Sequence, residues 1–259
     1  MRLFANPSAA AAAERHGFRT GDRGTHSSRT IMLDEITALL GVVPPGADRG
    51  AYLAAVVEDN CLAKPTISTR RLSIQRLSEL YALDRRCPVF RGLRYLWDLD
   101  PKSRPQLALL AALARDPLLR ATAVPIVELP PGAELQRASV RAALRESVAD
   151  RLSEAVLEKV LRNAASSWTQ SGHLEGRTFK LRRRVEATPF TVAFALFLSH
   201  AAGLRANELL ANGWLSVLDA SPSAARALAL EAKRLGILDL RTAGDVLEVG
   251  FARLGGLEG

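Results

Sequence analysis

The sequence predicts a mainly α, multi-helical fold carrying winged-helix elements, in which a helix runs into a β-hairpin. Three observations lead there. Apolar residues recur at helical spacing through most of the chain, the period switches from helix to strand at Gly172, and the segment that follows is basic. The switch lies within Ser153 to Ala187, SEAVLEKVLRNAASSWTQSGHLEGRTFKLRRRVEA. Val156, Leu157, Val160, Leu161, Ala164 and Trp168 form one apolar stripe on a helix. Arg162, Asn163, Ser166 and Gln170 fall on the opposite face, with Glu158 and Ser167 at its edges, and that face is free to read a ligand.

Gly172 supplies the permissive backbone that ends a helix. His173 and Leu174, then Thr178 to Val185, give two short runs around a Glu175-Gly176 turn, which predicts a hairpin. Strand side chains alternate, so Lys180, Arg182 and Arg184 are expected on one side with Thr178, and Phe179, Leu181, Arg183 and Val185 on the other. Arg177 at the turn and Arg183 complete the cationic set. Three cations in a row beside a helix rich in hydrogen-bonding side chains suit a phosphate backbone. The strand would position the duplex while the helix offers Arg, Asn and Gln to base edges. A solvated charged face, or a module that binds only protein, has the same sequence signature.

Composition agrees with an anionic partner. The chain has 259 residues, 48% of them hydrophobic, enough for a substantial core divided into two or three small units. Its net charge is +8 and its pI near 10.2. The cations are overwhelmingly Arg, the only lysines being Lys64, Lys102, Lys159, Lys180 and Lys233. Arg suits bidentate phosphate contacts, although a GC-rich coding sequence produces the same excess. Cys61 and Cys87 are isolated, without zinc spacing, and point to a reducing compartment.

Residues 1–30 are rich in Ala, Gly, Ser and Arg without sustained periodicity and are expected to be a disordered tail. Two readings of the tail stay open. Arg15, Arg19, Arg23 and Arg29 make it a basic arm that lies on nucleic acid, or translation starts at Met32. No signal peptide is recognisable. From Ile31 the pattern is helical: Ile36, Leu39 and Leu40 stop at Gly41, and Tyr52 to Asp59 forms another short helix. Ser68 or Thr69 is expected to cap a helix bearing Leu72, Leu77, Leu80 and Tyr81. Arg70, Arg71 and Arg76 near its start define a second anion site, against the alternative of a capped structural helix with solvated arginines.

Pro88 opens a further helix with Phe90, Leu93, Leu96 and Trp97. The apolar runs at Pro105–Arg120 and Phe190–Leu204 are too short to span a membrane and are expected to be buried core helices. Val124 to Gly132, VPIVELPPG, is expected to be a linker. The expected organisation is thus a disordered basic tail over 1–30, an N-terminal helical domain over 31–124 and a C-terminal helical domain with winged-helix-like hairpins over 133–259. In the last part Ser221 caps, Pro222 takes the first helical position, Gly236 stops the helix, and Ile237–Leu240 and Val246–Phe251 flank a turn. Asp239, Asp245 and Glu248 there would repel phosphate, which assigns this second hairpin to internal packing or a protein contact.

The sequence contains no GxxxxGK[ST], HExxH, GxSxG or CxxC motif, and no cofactor or metal is expected. Of the four histidines only His173 lies beside the expected binding surface.

The order Glu58-Asp59-Asn60-Cys61-Leu62, Thr66 to Arg71 downstream, a long helical middle, and Leu157 to Leu174 ending in Ser-Gly-His-Leu resembles the BrxA proteins of BREX bacteriophage-exclusion systems. The likeness runs over roughly Ala51 to Val185, and the basic tail and the region after Phe190 depart from it. The resemblance implies a small, mainly helical architecture, DNA-binding capacity without a known catalytic centre, and a bacterial, cytoplasmic accessory role in phage defence. The expected function is non-catalytic binding of double-stranded DNA, with other defence proteins as further partners and no membrane. A protein-interaction scaffold and an RNA-binding protein are the alternatives.

Overall fold

A computed structural model describes residues 4, 10–21, 23–148, 151–243 and 246–254. The protein is mainly α-helical. Its helices are α1 (Ala10–Arg15), α2 (Leu33–Val42), α3 (Arg49–Val57), α4 (Ile67–Tyr81), α5 (Pro88–Trp97), α6 (Arg104–Arg115), α7 (Pro117–Ala121), α8 (Ala123–Val127), α9 (Arg137–Val148) and α10 (Glu154–Gln170). A short hairpin follows, β1 (Leu174–Glu175) with β2 (Leu181–Arg182), and then α11 (Pro189–Ala201), α12 (Gly213–Val217), α13 (Pro222–Arg234) and a second hairpin, β3 (Asp239–Ala243) with β4 (Val246–Gly250).

Side chains mark where the helices begin. Thr66, not Ser68 or Thr69, caps α4: its Oγ1 accepts from Thr69 N, and Thr69 Oγ1 in return accepts from Thr66 N, both at 3.2 Å. Thr188 and Thr191 repeat that exchange at α11, and Ser153 caps α10. Ser221 caps α13 as expected, with Pro222 behind it.

The core is centred on α6 and α11. Every residue from Leu107 to Ala114 is buried, as is every residue from Thr191 to Ser199, and a helix apolar all round can only be an interior one. Both runs expected to be core helices are therefore found as such, and no described helix is long and apolar enough to cross a membrane. Helix α6 packs against α4, α5, α7, α10 and α11. The residues on either side of 124–132 thus share one core, and the expected boundary does not separate two. Most of the expected linker's first half is helix α8, with Ile126 buried. Apolar periodicity cannot be seen in so short a segment.

The described part of the tail is also packed, contrary to the expectation of disorder. Phe4 and Phe18 meet the Trp214 ring edge-on at 4.9 and 5.7 Å, and Thr25 and His26 are buried. Apolar content underestimated this segment because much of its attachment is polar. Thr25 donates to Glu79 Oε2 at 2.9 Å, and His26 binds Asp116.

Around the first hairpin the chain runs from an extended segment to α9, then α10, then β1 and β2. The extended segment joins the hairpin edge: Leu135 N donates to Lys180 O at 2.8 Å and Arg182 N to Ala133 O at 2.9 Å. The strands are shorter than the sequence predicts, pairing Leu174 with Arg182 and Glu175 with Leu181 and leaving 176–180 as a protruding turn. Gly176 makes that turn possible. Its φ is +96°, and a Cβ there would sit 2.1 Å from Phe179 O. In the second hairpin, residues 244 and 245, including the expected repulsive Asp245, lie outside the described residues.

Candidate nucleic-acid interface

Helix α10 divides its circumference three ways. Leu157, Val160, Ala164 and Trp168 enter the core. Asn163, Ser167 and Gln170, spaced i, i+4 and i+7, meet the N-terminal segment. Asn163 Nδ2 donates to His26 O at 2.8 Å, Ile31 N donates to Ser167 Oγ at 2.9 Å, and Gln170 joins Leu33 N at 3.2 Å and Thr30 Oγ1 at 3.1 Å. Asn163 and Gln170, expected to read base edges, therefore satisfy the chain's own backbone. A polar stripe at helical spacing shows a polar face but not its partner, and here the partner precedes it by about 137 residues.

At the centre of this contact lies a group that sequence reasoning missed. His26 Nδ1 is 2.8 Å from Asp116 Oδ2, and His26 Nε2 is 2.8 Å from Ser167 Oγ. Asp116 also accepts from His26 N, Leu118 N and Leu119 N. Burial alone would raise its pKa, but the His26 charge and these hydrogen bonds outweigh burial and hold the carboxyl below its usual range. The connectivity is that of a Ser–His–Asp relay, yet Ser167 has no exposed surface and its Oγ is already engaged by Ile31 N and Asn163 O. A hydroxyl sealed in this way cannot reach a substrate. The group fastens the N-terminal segment to α7 and α10.

The third side of α10 faces outward. Arg162 and Ser166, with Leu161 and Ala165, line a groove of about 790 Å³ whose other walls are the start of α9 and the protruding turn. The turn contributes Arg177, Thr178, Phe179 and Lys180, and α9 and its leading segment contribute Gln136 and Arg137. Lys180 Nζ donates to Gly176 O at 2.5 Å and braces the turn. Glu134 is the one acidic residue of the lining among the described residues. The ion pairs between α9 and α10 tie up neighbouring arginines: Arg137 binds Glu158 at 2.6 Å, and Arg141 bridges Glu154 and Glu158. Arg162, Arg177 and Arg184 make no ion pair among the described residues, and Arg183 makes a solvent-exposed one with Glu175 at 3.4 Å, worth little. Gln136 and Arg137 carry no sequence signal, because only the backbone bridge of Glu134 to Leu181 brings them to the turn.

Arg182 departs most from expectation. It is 1% exposed and turned inward, donating Nε to Ile126 O at 2.9 Å and Nη2 to Asp219 Oδ1 at 2.5 Å. Lys180, Arg182 and Arg184 therefore do not form one row. His173 is likewise internal: its Nε2 lies 2.7 Å from Val217 O and Nδ1 2.9 Å from Ser171 Oγ, and burial pushes its pKa down to about 4.

The second expected site disperses. Arg70 reaches Val57 O at 3.0 Å and ties α4 to α3. Arg71 lines a separate cavity with Arg49, and Arg76 lines a third, paired to Glu79 at 2.8 Å. Steps of one and five residues along a helix turn these side chains apart by more than 90°. No described cavity holds two of the three.

The chain matches no model of a known protein family and no curated protein.

Proposed function

We propose that this is a winged-helix protein that binds double-stranded DNA without catalysing a reaction, through the groove between α9, α10 and the turn after β1. The reading is supported most by the cations that the fold leaves outside its core, all exposed but the half-buried Lys180. Arg162, Arg177 and Lys180 border one groove, Arg183 and Arg184 follow them on the chain, and the core claims none of these. The order of extended segment, α9, α10 and hairpin fits a winged helix, in which α10 would be the second helix of the pair and residues 176–180 the wing. The inward turn of Asn163 and Gln170 reduces base-reading capacity, so the affinity is mostly of the phosphate-directed, salt-sensitive kind. The resemblance to BrxA proteins supports a cytoplasmic accessory role in phage defence beside other defence proteins.

A salt titration of binding to a random duplex tests this reading. Replacing Arg162, Arg177 and Lys180 together by Ala should weaken binding and flatten the plot of log affinity against log salt by roughly 2 to 3 units. An unchanged affinity and slope would contradict it. The scaffold reading is favoured by one observation, the exposed Leu230 and Leu235 at 46% and 50% on and after α13.

A further inference from the structure

We infer that the groove accepts an unpaired base, so that the preferred ligand is DNA with a locally extruded nucleotide stacked on Phe179. The inference rests on the DNA-binding reading above and deepens it. Phe179 is 66% exposed, the most exposed of the large hydrophobic side chains described, and it stands on a turn that Gly176 and the Lys180–Gly176 hydrogen bond hold in shape. A hydrophobic ring left in water at that position contributes nothing to the core. It lies between Arg177 and Lys180, where a strand's phosphates would be held.

The groove beside it is not a plain phosphate track. Ile126, Leu135, Val140 and Leu161 give it an apolar floor, while Gln136 and Ser166 supply hydrogen-bonding groups. A duplex backbone alone would leave that floor uncovered. A flat, apolar-faced base with polar edges matches an apolar floor, two hydrogen-bonding side chains and an aromatic wall, with cations at the rim for the flanking phosphates. Stacking of this kind tolerates any base, which fits a helix whose polar face is already occupied.

The test compares affinity for a perfect duplex with affinity for the same duplex carrying one unpaired base, by fluorescence anisotropy at fixed salt. The wild-type protein should prefer the bulged duplex. Phe179→Ala should lower affinity for the bulged duplex by roughly 5- to 150-fold and bring the two affinities together, whereas Phe179→Trp should keep the preference. The Arg177→Ala, Arg184→Ala double variant, which leaves the Lys180 brace of the turn in place, should weaken both duplexes alike and leave their ratio intact. Equal wild-type affinity for the two duplexes, or a ratio that survives Phe179→Ala, would overturn the inference while leaving the DNA-binding reading in place. Failure of the wild-type protein to bind either duplex would sink both. Because Phe179 lies outside the core, its replacement should leave the fold intact, with an unchanged circular dichroism spectrum as the check.

Discussion

Arg182 on β2 donates to Asp219, two residues past the end of α12, at 2.5 Å, and this ion pair joins the first hairpin to the C-terminal region. Asp219 also accepts from Val185 N at 2.8 Å, so one carboxylate fixes both the strand and the chain leaving it. Removing one partner leaves the other charged, largely buried and unpaired, which costs about 3 to 5 kcal/mol. Arg182→Ala and Asp219→Ala should each destabilise by that order, measured by urea unfolding. The double variant should lose less than the sum, because the second change removes an already orphaned charge. A cost below about 1 kcal/mol for Arg182→Ala would show that the guanidinium is not buried in solution.

The N-terminal segment should behave as part of the core. Deleting residues 1–30 removes His26 from Asp116 and Thr25 from Glu79, leaving a buried carboxylate with only backbone partners. A loss of at least about 3 kcal/mol follows. In a chain of this size that is roughly 6 °C or more in Tm. A truncated protein that melts with the full chain would return these residues to the status of a tail.

His173 gives the protein an acid sensitivity. Its ordinary pKa is 6.5 and burial lowers it to about 4 in the fold. Between these values the unfolded chain binds a proton that the folded chain refuses. Stability is therefore complete above about pH 6.5, falls as pH drops, and has lost about 3 kcal/mol from this group by pH 4. His200, lowered to about 4 by burial and then by Arg205, acts in the same direction. Urea unfolding at pH 7.5 and pH 4.5 measures the loss, and His173→Gln should shrink the difference between the two. A variant with the wild-type pH dependence would show that the His173 ring is not held neutral.

Much of the fold was legible because burial follows apolar period. The stripe from Leu157 to Trp168, the all-apolar runs at α6 and α11, and the Ser221-Pro222 start of α13 each carry their own physical reason. The candidate site was legible only in part. Arg162, Ser166, Arg177 and Lys180 do share one groove. Arg182 could not be told from Lys180 or Arg184, since alternation assigns all three to one face, and neither the two-residue length of β2 nor the partner Asp219, some 37 residues later, is visible in the pattern. Asn163 and Gln170 looked free for the same reason: their partners lie in a segment whose low apolar content concealed that it was packed.

Hydroxyl-radical footprinting of side chains with and without a saturating duplex tests most directly the proposed DNA interface at the turn after β1 and its groove. The exposed hydrophobic residues are natural reporters, with Phe179 on the turn after β1 and Leu181 on β2, Ile67 and Leu72 on α4, and Leu230 on and Leu235 after α13. Protection of Phe179 and Leu181, with Ile67, Leu72, Leu230 and Leu235 unchanged, is the predicted result. Protection on α4 or α13 with Phe179 as reactive as in the free protein would contradict it.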